Sequence, residues 1–172
     1  FLINIVFTLY ILAVLLRFLL QLVKADFYNP ICQTLMKITN PPLLLLRKFI
    51  PGFYGVDCAS LFLLYILQLV DLILIIFIST GGFPLYVFIM SIISLLLLTT
   101  RVYFYAIILR SVASWFQPNL DHPLYRLLLI LTEPLLRPLR RVIPKTGMFD
   151  WSSLIAIIIL MVIGVFLSGL VI

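Results

Sequence analysis

Four long apolar runs constrain the fold of this chain more than any other feature. They cover Phe1 to Val23, Cys58 to Ile78, Phe83 to about Trp115, and Trp151 to Ile172. At a rise of about 1.5 Å per residue, a helix over any of them could cross a hydrocarbon core about 30 Å thick. The chain is 65% hydrophobic and only 10% charged, far below the charged fraction of ordinary soluble proteins. The sequence therefore predicts an all-α membrane protein with about four transmembrane helices.

The basic residues predict how these spans are oriented. One long loop, 24–57, separates the first two spans, and a second, 116–150, separates the last two. Nine of the twelve lysines and arginines lie in these two loops, and none lies in the short turn at 79–82. Positively charged loops tend to stay in the cytoplasm. We therefore expect both long loops to be cytoplasmic in a multi-pass protein.

The two halves of the chain resemble each other at a constant offset of 93 residues. The matched pairs include Arg17 and Arg110, Thr39 and Thr132, Pro41 and Pro134, Arg47 and Arg140, and Asp57 and Asp150. Arg, Pro, Thr and Asp are scarce here, so these matches indicate an internal repeat. We predict one unit at 1–80 and a second at 83–172, each consisting of a span, a basic loop and a span. Because each unit crosses twice, the two units run in parallel.

Each loop contains a basic phrase framed by proline, TNPPLLLLRKFIP at 39–51 and TEPLLRPLRRVIP at 132–144. As a short helix, either phrase places leucines on one face and basic residues on the other. Such a helix suits the membrane interface, although the charges could simply set the topology. We expect this helix to begin near Pro41 or Pro134, after another that opens at Pro30 or Pro123. The predicted lipid or partner surface consists of Arg47, Lys48, Arg137, Arg140 and Arg141.

Four charged residues at the edges of the spans are predicted to anchor the two units. Arg17 and Arg110 lie about 10 Å below the loop side. They could snorkel to the interface or tie each span to its own loop, through an aspartate or a loop carbonyl. Asp57 and Asp150 each precede a span by one residue, where a carboxylate can cap the free N–H groups of the helix.

Two further charges lie deep inside the predicted spans. Asp71 is about 21 Å from the loop side and Arg101 about 24 Å, on consecutive antiparallel spans. A charge at this depth is costly unless it is paired or hydrated. We predict that Asp71 and Arg101 form an intramembrane ion pair; an ion or proton pathway is the alternative.

The second basic phrase, followed by Gly147 and by DWSS at 150–153, closely resembles the signature of the YggT family of small bacterial membrane proteins. The stretch DFYNP at 26–30 resembles the gammaproteobacterial branch. The resemblance covers nearly the whole chain and both repeats. The first copy departs from the pattern, because Asn40, Leu44 and Leu45 stand at the positions of Glu133, Arg137 and Pro138. We therefore expect the first loop to bind charge less strongly than the second.

The resemblance implies a YggT/YlmG-like multi-pass protein of the bacterial inner membrane, with relatives in plastids. Bacterial relatives are linked to osmotic tolerance and cation balance, and plastid relatives to thylakoid and nucleoid organisation. One branch is linked to haem attachment in a cytochrome complex. That role transfers poorly to this chain, because it has a single histidine, His122, and no paired axial-ligand pattern. No settled biochemical activity comes with the family.

Two functions therefore remain open at the level of sequence. The first is a non-enzymatic organiser of the membrane or assembly factor, bound to anionic lipids and to a membrane-protein partner or to further copies of itself. The alternative is a small oligomeric ion channel or transporter that uses Asp71 and Arg101. The sequence has no His/Glu metal cluster, nucleophile–base motif or glycine-rich phosphate loop. We accordingly expect no catalytic site, no metal, no cofactor and no nucleic-acid partner.

Overall fold

A computed structural model describes residues 2–53, 55–80, 82, 84–115, 122–142 and 151–171. Within these residues the chain forms six α-helices and no strand beyond an isolated bridge between Phe53 and Val56. The helices are α1 (Leu2–Leu22), α2 (Pro30–Leu46), α3 (Cys58–Thr80), α4 (Val87–Trp115), α5 (Pro123–Val142) and α6 (Trp151–Val171).

Four of these helices, α1, α3, α4 and α6, are long and apolar enough to cross a membrane. They contain 21, 23, 29 and 21 residues, which correspond to lengths of about 32 to 44 Å. The predicted all-α fold with four spanning helices is confirmed. The third span begins later than predicted, at Val87, because Pro84 and the two residues after it form a turn that ends with Val87 N–H bonded to Pro84 C=O at 3.2 Å.

The described part of each long loop contains one continuous helix, α2 or α5, so the prediction of two short helices per loop is wrong. α2 continues through Pro41 and Pro42, and α5 continues through Pro134 and Pro138. Proline inside a helix removes one backbone hydrogen bond and usually kinks or ends the helix. Here three of the four proline rings are exposed, and Pro42 is partly so. The other side of each helix packs against the spans and offsets the lost bonds.

The core lies between the spans and the loop helices. Ile11 and Val14 of α1 and Leu64 of α3 are almost fully buried, and Leu43 of α2 and Leu127 of α5 belong to the same cluster. The outward sides of the spans are mostly apolar, with exposed side chains such as Leu9, Ile89 and Phe166. These surfaces suit contact with lipid chains, because the backbone groups in the interior of a spanning helix are bonded within the helix.

A second, smaller cluster joins the other spans to α5. It consists of Ile107 of α4, Leu136 of α5 and Ala156 of α6. The order span, loop helix, span therefore occurs twice along the chain. This order matches the predicted units at 1–80 and 83–172, and their origin as a repeat stays a prediction. Both loop helices lie at one end of the bundle, here called the loop side.

Candidate functional site: the anchored loop helices

A buried arginine fastens each loop helix to the span before it. Arg17 of α1 donates from Nη1 to Oγ1 of Thr39 at 2.7 Å, and Arg110 of α4 donates from Nη1 to Oγ1 of Thr132 at 2.6 Å. Both arginines are at least nine-tenths buried and both threonines are fully buried. Each threonine hydroxyl also donates to a carbonyl in its own helix, that of Leu35 or Leu128, at 2.7 Å. The same arginine–threonine contact therefore occurs in both halves of the chain, at positions 93 residues apart.

These contacts refine the predicted role of Arg17 and Arg110. Each arginine is tied to its own loop, as one of the interpretations proposed. The acceptor is a threonine hydroxyl rather than an aspartate or a backbone carbonyl. The sequence contained a signal for these partners, because Thr39 and Thr132 are matched residues that open the two basic phrases.

At the end of α2, an ion pair holds the loop helix to the start of the next span. The Arg47 guanidinium pairs with the carboxylate of Asp57. Asp57 also accepts from the N–H of Ser60 at 3.4 Å and from its hydroxyl at 2.7 Å. Asp57 therefore caps α3, as predicted for a carboxylate at a helix start, and joins α2 to α3 at the same time.

The environment of Asp57 favours its charged form. Burial by itself would raise the pKa of this carboxyl group. The hydrogen bonds from Arg47 and Ser60 and the positive charge of Arg47 outweigh the burial, so that the pKa lies below its ordinary value. Because this aspartate stays ionised at neutral pH, the attraction to Arg47 persists there.

In the second loop, Glu133 links the span to the loop helix. Its carboxylate accepts from both terminal nitrogens of Arg110 at 3.4 Å and from Nη1 of Arg140 at 3.3 Å. The Glu133 side chain is 46% exposed, so each of these ion pairs contributes little on its own. Glu133 was not among the predicted site residues. Asp150, which was predicted as the counterpart of Asp57, lies outside the described residues.

The structure divides the five predicted surface cations into two groups. Arg47 and Arg140 are engaged in ion pairs with Asp57 and Glu133, although the Arg47 side chain is still 36% exposed. Lys48, Arg137 and Arg141 are also exposed, and the assignment of all five residues to a lipid or partner surface stays a prediction. The repeat separates these cations in part, because the arginines matched at the 93-residue offset, Arg47 and Arg140, are the two in ion pairs. Arg137 has Leu44 at the matching position.

The two loop helices present different surfaces to their surroundings. On α5, the exposed arginines alternate with Pro134 and Pro138, opposite the buried Leu136. On α2 and in the turn that follows it, the exposed side chains near the basic phrase are mainly apolar, and they include Leu44, Leu45 and Phe49 with exposures of 56%, 61% and 82%. That the first loop binds charge less strongly stays a prediction.

A polar cleft separates the beginnings of α2 and α5. Asn29 caps α2 by accepting from the N–H of Ile31 at 2.9 Å, and its amide donates to the carbonyl of Pro123 at 2.9 Å. Asp26, Tyr28 and Arg126 line the same cleft, which has a volume of about 220 Å³. This contact connects the two loops directly.

The structure does not bring Asp71 and Arg101 together. Asp71 lies on the buried face of α3, near Gln68, and its Oδ1 atom has no hydrogen-bond partner in the described part of the chain. Arg101 is exposed and lines a groove between α4 and α6. Among the described residues, the ion pairs are those of Arg47, Arg110 and Arg140, so the predicted intramembrane pair is not formed. The prediction paired the two residues because they lie at similar depths along their spans. In the structure their side chains face different directions.

The chemistry available at the loop side is recognition of negative charge. Exposed guanidinium and ammonium groups can bind phosphate or carboxylate oxygens, and arginine can bind them with two parallel hydrogen bonds. In the described ranges, no group of three or more His, Cys, Asp or Glu side chains could hold a metal ion. Cys32 is a free thiol among buried side chains, and burial raises its pKa.

These features define a small multi-pass helical membrane protein whose loop helices are fixed to the spans by arginine and present further basic residues outward. The family can be assigned from sequence. The chain belongs to the CCB3/YggT family, whose sequence model matches residues 1–78 and 89–171.

The relatives share the sequence over most of its length. An uncharacterized protein of Pseudomonas aeruginosa is 41% identical over 159 residues, which cover 91% of this chain and 81% of the relative. The uncharacterized protein YggT of Escherichia coli K12 is 34% identical over 164 residues, which cover 95% and 86%. An uncharacterized Vibrio alginolyticus protein from the proC 3′ region is 34% identical over 161 residues, covering 92% and 86%. No solved structure matches the chain significantly.

Proposed function

We propose that the chain is a non-enzymatic protein of the bacterial inner membrane that organises the membrane or helps to assemble a complex in it. In this proposal the loop side faces the cytoplasm, as its excess of basic residues suggests. The two loop helices bind the anionic head groups of the cytoplasmic leaflet. The link to osmotic tolerance and cation balance follows from the family resemblance and belongs to the same proposal.

The exposure of Arg137 and Arg141 on α5 carries this proposal. The opposite face of α5 is fixed by the buried Leu136 and by the bond between Thr132 and Arg110. The two arginines are therefore held outward on a helix that has little freedom to turn. A basic residue close to an anionic leaflet contributes about 1 kcal/mol to membrane binding, so the pair contributes about 2 kcal/mol.

The exposed apolar residues of α2 and of the turn that follows it support the same arrangement. Leu44, Leu45 and Phe49 lie beside Lys48, a combination suited to the boundary between acyl chains and head groups. In this arrangement α2 inserts apolar side chains into the leaflet, and α5 supplies charge. The two helices would thus bind the same leaflet by different means.

The test is a pair of double variants with equal changes of charge. Arg137→Gln with Arg141→Gln removes the proposed lipid contacts. Lys37→Gln with Arg126→Gln removes two exposed charges at other positions, one from each loop helix. Phosphatidylglycerol is titrated into otherwise neutral nanodiscs that hold the full chain. We expect the first variant to lose affinity by roughly 30-fold and the control to lose much less.

The same variants connect binding to physiology. In a bacterium lacking its own member of the family, the unaltered chain and the control should restore growth after an osmotic upshift, and the Arg137/Arg141 variant should not. Arg140 is left intact because its loss would also disturb Glu133 and Arg110. Unchanged lipid affinity and full growth in the Arg137/Arg141 variant would contradict the proposal.

The alternative function, a small oligomeric channel or transporter that uses Asp71 and Arg101, has less support. Asp71 is buried in the bundle, and its Oδ1 atom has no partner among the described residues, which favours an aqueous or ionic contact. Arg101, however, faces a different groove. Cation flux into proteoliposomes that disappears in Asp71→Asn would favour this alternative over the first.

A further inference from the structure

An exposed arginine lies near the middle of the longest spanning helix. Arg101 is fourteen residues from each end of α4, Val87 and Trp115, which places it about 21 Å from either end. It lines a groove of about 260 Å³ between α4 and α6. Neighbouring residues of the groove, Met161 and Val165, are 59% and 68% exposed. The groove therefore opens toward the hydrocarbon core rather than into the bundle.

The chain does not supply a partner for this charge from its described residues. Arg101 has no hydrogen bond or ion pair in the described ranges. Asp71, the acidic residue within the described spans, is only 5% exposed. A charged side chain in the hydrocarbon region is costly unless it is paired or hydrated. A partner with a negative charge on this surface would therefore stabilise Arg101.

We propose that the groove between α4 and α6 binds a transmembrane helix of another membrane protein, and that this helix presents a carboxylate to Arg101. The groove is apolar along most of its length, with Thr100 and Ser168 as additional polar groups. A carboxylate can accept two parallel hydrogen bonds from a guanidinium group, so charge and geometry are complementary. This surface is separate from the lipid-binding residues of α5, and the inference goes beyond the proposed function.

Other occupants fit the groove less well. A second copy that docked by the same face would bring two Arg101 side chains together, and the buried Asp71 is unavailable to a neighbouring copy. A lipid phosphate belongs to the interface, far from the centre of α4. A carboxylate on a partner helix can be placed at the depth of Arg101, because the partner's own helix carries it into the bilayer.

The experiment uses the full chain in neutral liposomes and a designed polyleucine transmembrane peptide as a probe. The peptide carries either Glu or Gln at its centre, and energy transfer between labels measures association. We expect the Glu peptide to bind at least tenfold more tightly than the Gln peptide. This preference should be lost in Arg101→Leu and partly retained in Arg101→Lys.

A matched pair of substitutions on α6 tests the groove itself. Val165 lines the groove and Val162 does not, although both are mostly exposed. Val165→Trp should fill the groove and block the Glu peptide, whereas Val162→Trp should leave binding unchanged. The Arg137/Arg141 double variant should also bind the Glu peptide normally, so failure of the lipid proposal is separable from failure of this one.

Three results would overturn the inference. The first is equal binding of the Glu and Gln peptides by the unaltered chain. The second is a preference for Glu that survives Arg101→Leu. The third is self-association of the chain through the groove, detected as energy transfer between labelled copies that Val165→Trp abolishes, since the occupant would then be a second copy.

Discussion

At the scale of single residues, two threonine hydroxyls connect buried arginines to the loop helices. Thr39 and Thr132 each donate to a backbone carbonyl and accept from an arginine. A hydroxyl can do both, because it has one donor and two acceptor positions. Valine has nearly the same shape as threonine, but its side chain can neither donate nor accept a hydrogen bond. These positions therefore separate the contribution of packing from that of hydrogen bonding.

We expect Thr39→Val to destabilise the chain more than Thr132→Val. A hydrogen bond to a charged group contributes about 2 kcal/mol. In Thr132→Val, the Arg110 guanidinium keeps contacts with Glu133 at 3.4 Å. Arg17 has Thr39 as its hydrogen-bond partner within the described ranges. Thermal unfolding in nanodiscs measures the difference, and Thr39→Ser should restore most of the stability. Equal effects of the two valine substitutions would show that Glu133 does not support Arg110.

At the scale of elements, the junction between α2 and α3 depends on one carboxylate. Asp57 caps α3 and pairs with Arg47 at the end of α2. The lowered pKa of Asp57 makes this junction sensitive to acid. A carboxyl group with a lower pKa in the folded state contributes stability above its unfolded pKa, near 4, and this contribution is lost as the pH falls through the folded value.

The acid sensitivity can be measured with Asp57→Asn. Asparagine keeps the ability to cap a helix but cannot become charged. The unaltered chain should unfold at a higher temperature than Asp57→Asn at neutral pH. The gap should close as the pH is lowered below about 4, because Asp57 then binds a proton. A gap that stays constant down to pH 2 would mean that the ion pair with Arg47 contributes no stability.

Sequence alone predicted the spanning helices but not the paths of the loop helices. The spans follow from the length of apolar runs, which need no knowledge of tertiary contacts. Pro41 and Pro134 suggested the starts of helices, yet α2 and α5 continue through them, with Leu43 and Leu136 buried on the opposite side. Local preference was therefore overruled by tertiary contacts.

The predicted ion pair between Asp71 and Arg101 also failed because of tertiary packing. A sequence indicates how deep a side chain lies in a span more readily than the direction in which it points. Asp71 and Arg101 were matched by depth alone. Residues three or four apart on α3, such as Ser60, Leu64 and Gln68, share the buried face of Asp71. Which face of α4 turns toward α3 depends on packing, which no single run of residues encodes.

At the scale of the whole molecule, a side-chain hydrogen bond joins the two units at the loop side. Asn29 bonds to the carbonyl of Pro123 at 2.9 Å, across the cleft between α2 and α5. The same asparagine caps α2. Its two functions can be separated, because the amide nitrogen donates to the carbonyl of Pro123 whereas the amide oxygen accepts from the N–H of Ile31 in α2.

We expect Asn29→Asp to loosen the contact between the units and to leave α2 intact. Aspartate keeps the capping oxygen but loses the donor and places a negative charge against the carbonyl of Pro123. Spin labels at exposed Gln33 and Leu124 should report a longer and broader distance distribution by double electron–electron resonance. The control is Asn40→Asp, the same change on the same helix away from the cleft, which should leave the distances unchanged. If both variants give the distances of the unaltered chain, the other contacts between the units hold them together without Asn29.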